Sequence, residues 1–150
     1  MAGLTQALCT SFKVECLTGT HNFTASTGDT FKMALFTAGA SIVGTYGEST
    51  ANYSEMTADE VASGGGYTTG GKALTSVTPV ASGTTAVVDF SDAAWTSATF
   101  VARGAMIYNS SKSNKAVCIL DFGADKTVTS GTFTVYFPTP DASNAIVRIE

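Results

Sequence analysis

Two neighbouring stretches decide the fold class: Ser97-Ala98-Thr99-Phe100-Val101-Ala102-Arg103-Gly104-Ala105-Met106-Ile107-Tyr108, and, after a polar run from Asn109 to Asn114, Lys115-Ala116-Val117-Cys118-Ile119-Leu120-Asp121-Phe122. The first is apolar on both faces of a two-residue period, which predicts a central strand covered on both sides. In the second, Ala116, Cys118, Leu120 and Phe122 alternate with Lys115 and Asp121, the pattern of a strand with one buried face. The polar run between them reads as a turn.

The same period extends in both directions. Upstream, Ala73–Val80 and Thr84–Phe90 flank a Ser82-Gly83 turn, with Ala86, Val88 and Phe90 on one face. Further upstream, Phe31, Met33 and Leu35 oppose Lys32, Ala34 and Phe36, so residues 30–37 read as a mostly buried strand. Downstream, Asp125–Gly131 reads as a polar connection that can include strand residues Thr127–Thr129. Phe133, Val135 and Phe137 then alternate with Thr132, Thr134 and Tyr136 until Pro138 and Pro140 end the strand. Ile146 and Arg148 alternate with Val147 and Ile149 near the C-terminus.

One segment departs from this period. Leu4, Leu8, Phe12 and Cys16 recur every fourth residue and Gly19 stands where a helix stops, predicting a helix over about 5–17. Residues 38–71 are weakly patterned and Gly-rich, and read as a long excursion with a helical turn near Thr57–Val61. The chain is thus expected to be mainly β: one domain, 1–150, forming an antiparallel β-sandwich or a partly closed barrel with one N-terminal helix and strands over about 30–37 and 73–149.

Composition limits function. Of the 150 residues, 44 % are hydrophobic and only 13 % charged, with a net charge of −4. The charged share is about half that of an ordinary domain, so the surface must be largely Thr, Ser, Gly and Ala. Such surfaces favour association. No basic run exceeds one residue, which argues against nucleic-acid binding. No stretch approaches the roughly 20 apolar residues of a membrane helix, and residues 1–10 do not read as a secretion signal. The three cysteines, Cys9, Cys16 and Cys118, form no Cys-x-x-Cys pair and read as reduced thiols of a cytoplasmic protein.

Candidate chemistry is sparse, and no catalytic, cofactor or metal residues are assigned. His21 is the one histidine, so a Ser-His or Cys-His pair has a single available base. Gly66-Tyr67-Thr68-Thr69-Gly70-Gly71-Lys72 matches seven positions of a phosphate-binding loop, but Ala73 stands where the magnesium-holding Ser or Thr belongs. No helix is expected after it, so a flexible turn is the simpler reading. Asp121-Phe122-Gly123 mimics the magnesium triplet of kinases in a chain too short to be one. Asp121 and Asp125 could share a calcium ion across a turn. Asp29, Asp89, Asp92 and Asp121 are the carboxylates from which a sugar-hydrolysing pair could be drawn. Trp95, Tyr67, Tyr108 and Tyr136 could form a sugar platform or serve as core and rim aromatics. Arg103, inside the apolar strand, needs a partner such as Asp89 or Asp121, or a subunit boundary.

Several blocks together resemble a known group: residues 5–15 (Thr5-Gln6-Ala7-Leu8-Cys9-Thr10-Ser11-Phe12-Lys13-Val14-Glu15), residues 30–37, Gly66–Gly71, Ala102–Asn109, Val117–Gly123 and Phe137–Ala142. They are similar to small virion proteins of tailed double-stranded-DNA bacteriophages, most of all to capsid decoration (cement) proteins. The resemblance implies a structural protein with no enzymatic activity. It implies a homo-oligomer bound to the major capsid protein on the outer shell, after assembly in the host bacterial cytoplasm. A tail, head–tail connector or fibre component is the alternative within that group, and a carbohydrate-binding β-sandwich module the alternative outside it.

Overall fold

The chain builds two layers from strands that differ widely in length. The computed structural model describes residues 2–150. The element order is β1 (Gly3–Leu4), β2 (Ala7–Leu8), α1 (Thr10–Leu17), β3 (Phe31–Phe36), β4 (Thr45–Tyr46), β5 (Lys72–Ala73), β6 (Ser76–Ser82), β7 (Thr85–Phe90), β8 (Ala93–Asn109), β9 (Lys115–Val135) and β10 (Val147–Ile149). The protein is mainly β, 48 % strand and 10 % helical, and its sheets do not close into a barrel. A five-stranded antiparallel sheet, β2-β9-β8-β3-β5, faces a three-stranded one, β10-β7-β6. This arrangement is consistent with a β-sandwich. One short pair, β1 with β4, is parallel.

The β8–β9 hairpin is the frame. It closes through the expected polar turn at 110–114. Its central residues Ala105, Met106, Ile107, Val117 and Ile119 are fully buried. By strand alternation, β3 and β8 present two faces. One carries Phe31, Met33 and Leu35 with Asn109 and Ile107; the other carries Lys32, Ala34 and Phe36 with Tyr108 and Met106. The first face meets α1 and the small sheet through an aromatic column. Phe23 and Phe31 stack with ring centroids 4.2 Å apart, Phe90 of β7 lies 5.7 Å from Phe31, and Phe12 of α1 meets Phe23 edge-on at 6.0 Å. The second face is covered by residues 38–71: Tyr46 packs on Phe36 at 4.7 Å and Tyr53 stacks on Tyr108 at 4.6 Å. That double cover is why β3 is apolar on both sides.

Several sequence expectations need correction. The helix starts at Thr10, not near residue 5. Cys9 is extended (φ −66°, ψ 137°), and its N–H donates to the Val117 carbonyl, so Ala7–Cys9 lies on the edge of β9. Thr57–Val61 is not a helical turn. The turn is 3-10 and lies at Tyr53–Met56, where Asn52 and Glu55 form a reciprocal capping box. Residues 73–80 are not one strand: Lys72–Ala73 pairs with β3, and the chain then crosses to the small sheet as β6. On β7 the inward side includes Val87, 2 % exposed, whereas Ala86 is exposed. The central strand begins at Ala93, and Ser97 (φ +51°) sits at a register shift between Trp95 and Ala98. The largest correction concerns Asp125–Gly131, which is no connection. The long partner β8 keeps the ladder intact to Val135, and bulges take up the irregular residues.

Candidate functional site

The residues with catalytic-looking chemistry are each occupied structurally. The His21 side chain is completely buried. Its Nε2 lies 2.8 Å from Glu15 Oε2 and its Nδ1 2.9 Å from Asn109 Nδ2. Phe12 packs against its ring at 5.0 Å. Burial by itself pushes the Glu15 carboxyl up, but hydrogen bonds from Lys115 and His21 outweigh this and hold it below the usual carboxylate range.

The Gly66–Lys72 loop does not cradle an anion. It lies flat on backbone: a Cβ on Gly71 would overlap the Met33 carbonyl, and one on Gly66 would crowd the carbonyls of Thr96 and Ser97. Lys72 Nζ donates to the Ala94 carbonyl. The glycines serve close approach to β3 and β8.

Carboxylates are similarly committed. Asp121 Oδ1 accepts from Arg103 Nε at 3.1 Å and from the Gly123 N–H at 2.9 Å. Of the two partners considered for Arg103, Asp121 is the one it meets, at a partly exposed site rather than a fully buried one. Asp125 takes the Gly39 N–H at 2.8 Å, Asp92 takes the Phe137 N–H at 2.9 Å, and Asp29 takes the Asn22 N–H at 2.9 Å. Asp89 sits on β7 opposite Val77. Among the described residues, no three His, Cys, Asp or Glu side chains form a metal-holding group.

The aromatics do not build a sugar platform. Trp95, Tyr67 and Tyr108 are 5 %, 2 % and 2 % exposed, and only Tyr136 stands out in solvent. Cys9 and Cys118 are buried thiols; burial pushes Cys9 up to about 12 and Cys118 higher still.

Two buried carboxylates went unnoticed in the sequence. Asp59 takes the Tyr46 hydroxyl at 2.7 Å and the backbone N–H groups of Gly44 and Val43 at 2.8 and 3.0 Å. Burial alone would raise its pKa; these donors outweigh it and hold the carboxyl low. Glu60 takes the Tyr67 and Tyr53 hydroxyls, each at 2.6 Å, and the Gly70 N–H at 2.7 Å. Together they tie the 38–71 excursion onto the sheet. Nothing local distinguishes Asp59-Glu60 from a solvated acidic pair, so only the tertiary contacts reveal it.

What remains open is an edge and a groove. β2 covers the outer edge of β9 only at Cys118 and Ile119. Beyond Ile119, among the described residues, no strand pairs with that edge. Thr127–Val135 contains neither charge nor proline. The edge strand β6 of the small sheet carries Pro79 and a bulge between Val77 and Val80. Beside the open β9 edge runs a groove whose two adjoining parts measure 490 and 560 Å³ and share Gln6, Leu120, Pro138 and Ile146. Phe122, Phe133 and Val135 line its apolar part, next to the exposed Tyr136.

Among the described residues, no helix is long and apolar enough to cross a membrane. Comparison with protein-family models, curated proteins and solved structures finds no match to this chain.

Proposed function

We propose that this chain is a capsid decoration (cement) protein of a tailed double-stranded-DNA bacteriophage. It binds the outer surface of the shell and holds neighbouring major capsid subunits together. The sequence resemblance supplies the class. The observation that carries the reading is the unpaired β9 edge beside an apolar groove, with neither charge nor proline over Thr127–Val135. An unpaired edge stretch free of charge and proline offers its backbone to another strand. Adding a strand from a neighbour satisfies its free N–H and C=O groups, while alternate side chains enter the groove. The scarcity of charge supports the same reading, because few ions need desolvating when this surface is buried.

The proposal is tested by cosedimentation of the purified chain with phage shells that lack it. Saturable binding at a stoichiometry comparable to the shell subunits is expected. A Thr129→Lys, Thr132→Lys double variant should fold normally and bind at least tenfold more weakly, because it places two charges on the exposed edge. Binding that is absent, or unaffected by the double variant, contradicts the proposal.

A further inference from the structure

The groove beside the open β9 edge differs in charge from the chain that carries it. Its charged lining residues are Lys126, Asp121 and Arg148. Arg148 lines the polar part and Lys126 the apolar part, so each part holds one cation. Asp121 is already paired with Arg103. Among the described residues, neither Lys126 nor Arg148 forms an ion pair. Asp141 lies close enough to feel the Arg148 charge, but its two oxygens are taken by the Asn144 amide and the Ser143 N–H. One Arg148 nitrogen donates to the Ser143 carbonyl, and the guanidinium has further donors to offer a ligand. The groove thus presents two uncompensated positive charges on a chain whose net charge is −4.

We infer that the groove's occupant is an extended acidic segment of a partner protein, with apolar side chains at alternate positions and carboxylates placed to meet Lys126 and Arg148. The inference rests on the reading of the β9 edge as a strand-docking site and adds the chemistry of the docked strand; on the proposed role, that strand belongs to a shell subunit. Three features set the chemistry. The unpaired backbone of Thr127–Val135 calls for an extended segment, because only extended backbone aligns its N–H and C=O groups with a strand edge. Successive side chains of such a segment point to opposite sides, so every second one enters the groove beside Phe122, Phe133 and Val135. The two cations then select the sign of its charge: a segment with carboxylates is attracted and oriented, and a basic one is repelled. A second copy of this chain fits less well. Its own Thr127–Val135 edge carries no carboxylate, so pairing two such edges leaves Lys126 and Arg148 unanswered.

The test titrates the full chain, at low salt, into two fluorescent peptides that alternate valine and threonine, one ending in glutamate at both ends and one in lysine. Anisotropy should show the glutamate peptide binding about tenfold more tightly, since two exposed charge pairs change from attraction to repulsion between the peptides. A Lys126→Glu, Arg148→Glu double variant, altered only at exposed side chains, should reverse that order. It should also cosediment with shells about tenfold more weakly than wild type. If the double variant does not fold, Lys126→Glu alone should show roughly a threefold loss for the glutamate peptide. Equal binding of the two peptides, binding of neither, or an order that survives the charge reversal overturns the inference. A dimer of this chain that excludes the glutamate peptide overturns it as well. Shells that bind wild type and the double variant equally overturn it while leaving the shell role standing. Glutamate selectivity without any shell binding contradicts the shell role alone and leaves the acidic strand standing.

Discussion

Glu60 holds the hydroxyl of Tyr67 at 2.6 Å, and Tyr67 in turn accepts the Leu35 N–H at 2.9 Å. An acidic residue of the excursion is thereby wired through one phenol to the backbone of β3. Its neighbour Asp59 does the equivalent with Tyr46. The long 38–71 segment has little regular structure but is not loosely attached.

Glu60→Ala should therefore destabilise the protein by about 3–5 kcal/mol, because it strands two tyrosine hydroxyls and the Gly70 N–H. Tyr46→Phe, which removes one of the three donors to Asp59, should cost about 1 kcal/mol. Urea unfolding gives both values. Hydrogen exchange should show Glu60→Ala loosening residues 38–71 before the β8–β9 core.

Glycines separate tight from free backbone. Gly71 has φ +69° and no room for a Cβ beside Met33, so Gly71→Ala should cost about 3 kcal/mol or more. Gly83, in the two-residue β6–β7 turn, has φ +62° but open space around it. Gly83→Ala should cost only about 1 kcal/mol, the strain of the positive φ alone. Thermal unfolding of the pair distinguishes packing from conformational strain.

Asp29, Asp59 and Asp121 share the pattern already described for Glu15: burial raises each, and hydrogen-bond donors outweigh it. A carboxyl whose folded pKa is depressed contributes stability above its unfolded value, about 4. That contribution is lost as pH falls through the folded value. Unfolding measured from pH 5 to 2 should show a steep loss below about pH 4. Asp59→Asn should flatten part of this slope while lowering stability at pH 7.

Cys9 and Cys118 should resist iodoacetamide at pH 8 in the folded protein and react on unfolding, since burial raises both thiols far above that pH. Peptide mapping after labelling measures this. Rapid modification of either thiol in the native state would contradict the buried assignment.

The β-rich class was legible because period-two patterning over 30–37 and 97–122 is strong. The turn at 110–114 was legible because it is uniformly polar. The distal half of β9 was misread because Ala124–Lys126 and Thr129–Ser130 are exposed on a sheet edge. An exposed edge strand and a loop share one composition, and only the length of β8 distinguishes them. The helix start was misread because Leu8 and Phe12 keep helical spacing while Leu8 is in fact paired with Cys118. Asn52-Tyr53-Ser54-Glu55 carried a capping-box signal that locates the 3-10 turn. The roles of Asp59, Glu60 and Asn109 depend on partners 7 to 88 residues away and leave no local trace.

The proposed role on the shell is tested most directly by counting copies of this chain in purified phage particles, using quantitative mass spectrometry against the major capsid protein. A decoration protein should be present in numbers comparable to the shell subunits. A handful of copies per particle would contradict that role and place the chain in the tail or connector, and complete absence from particles would contradict a virion role altogether.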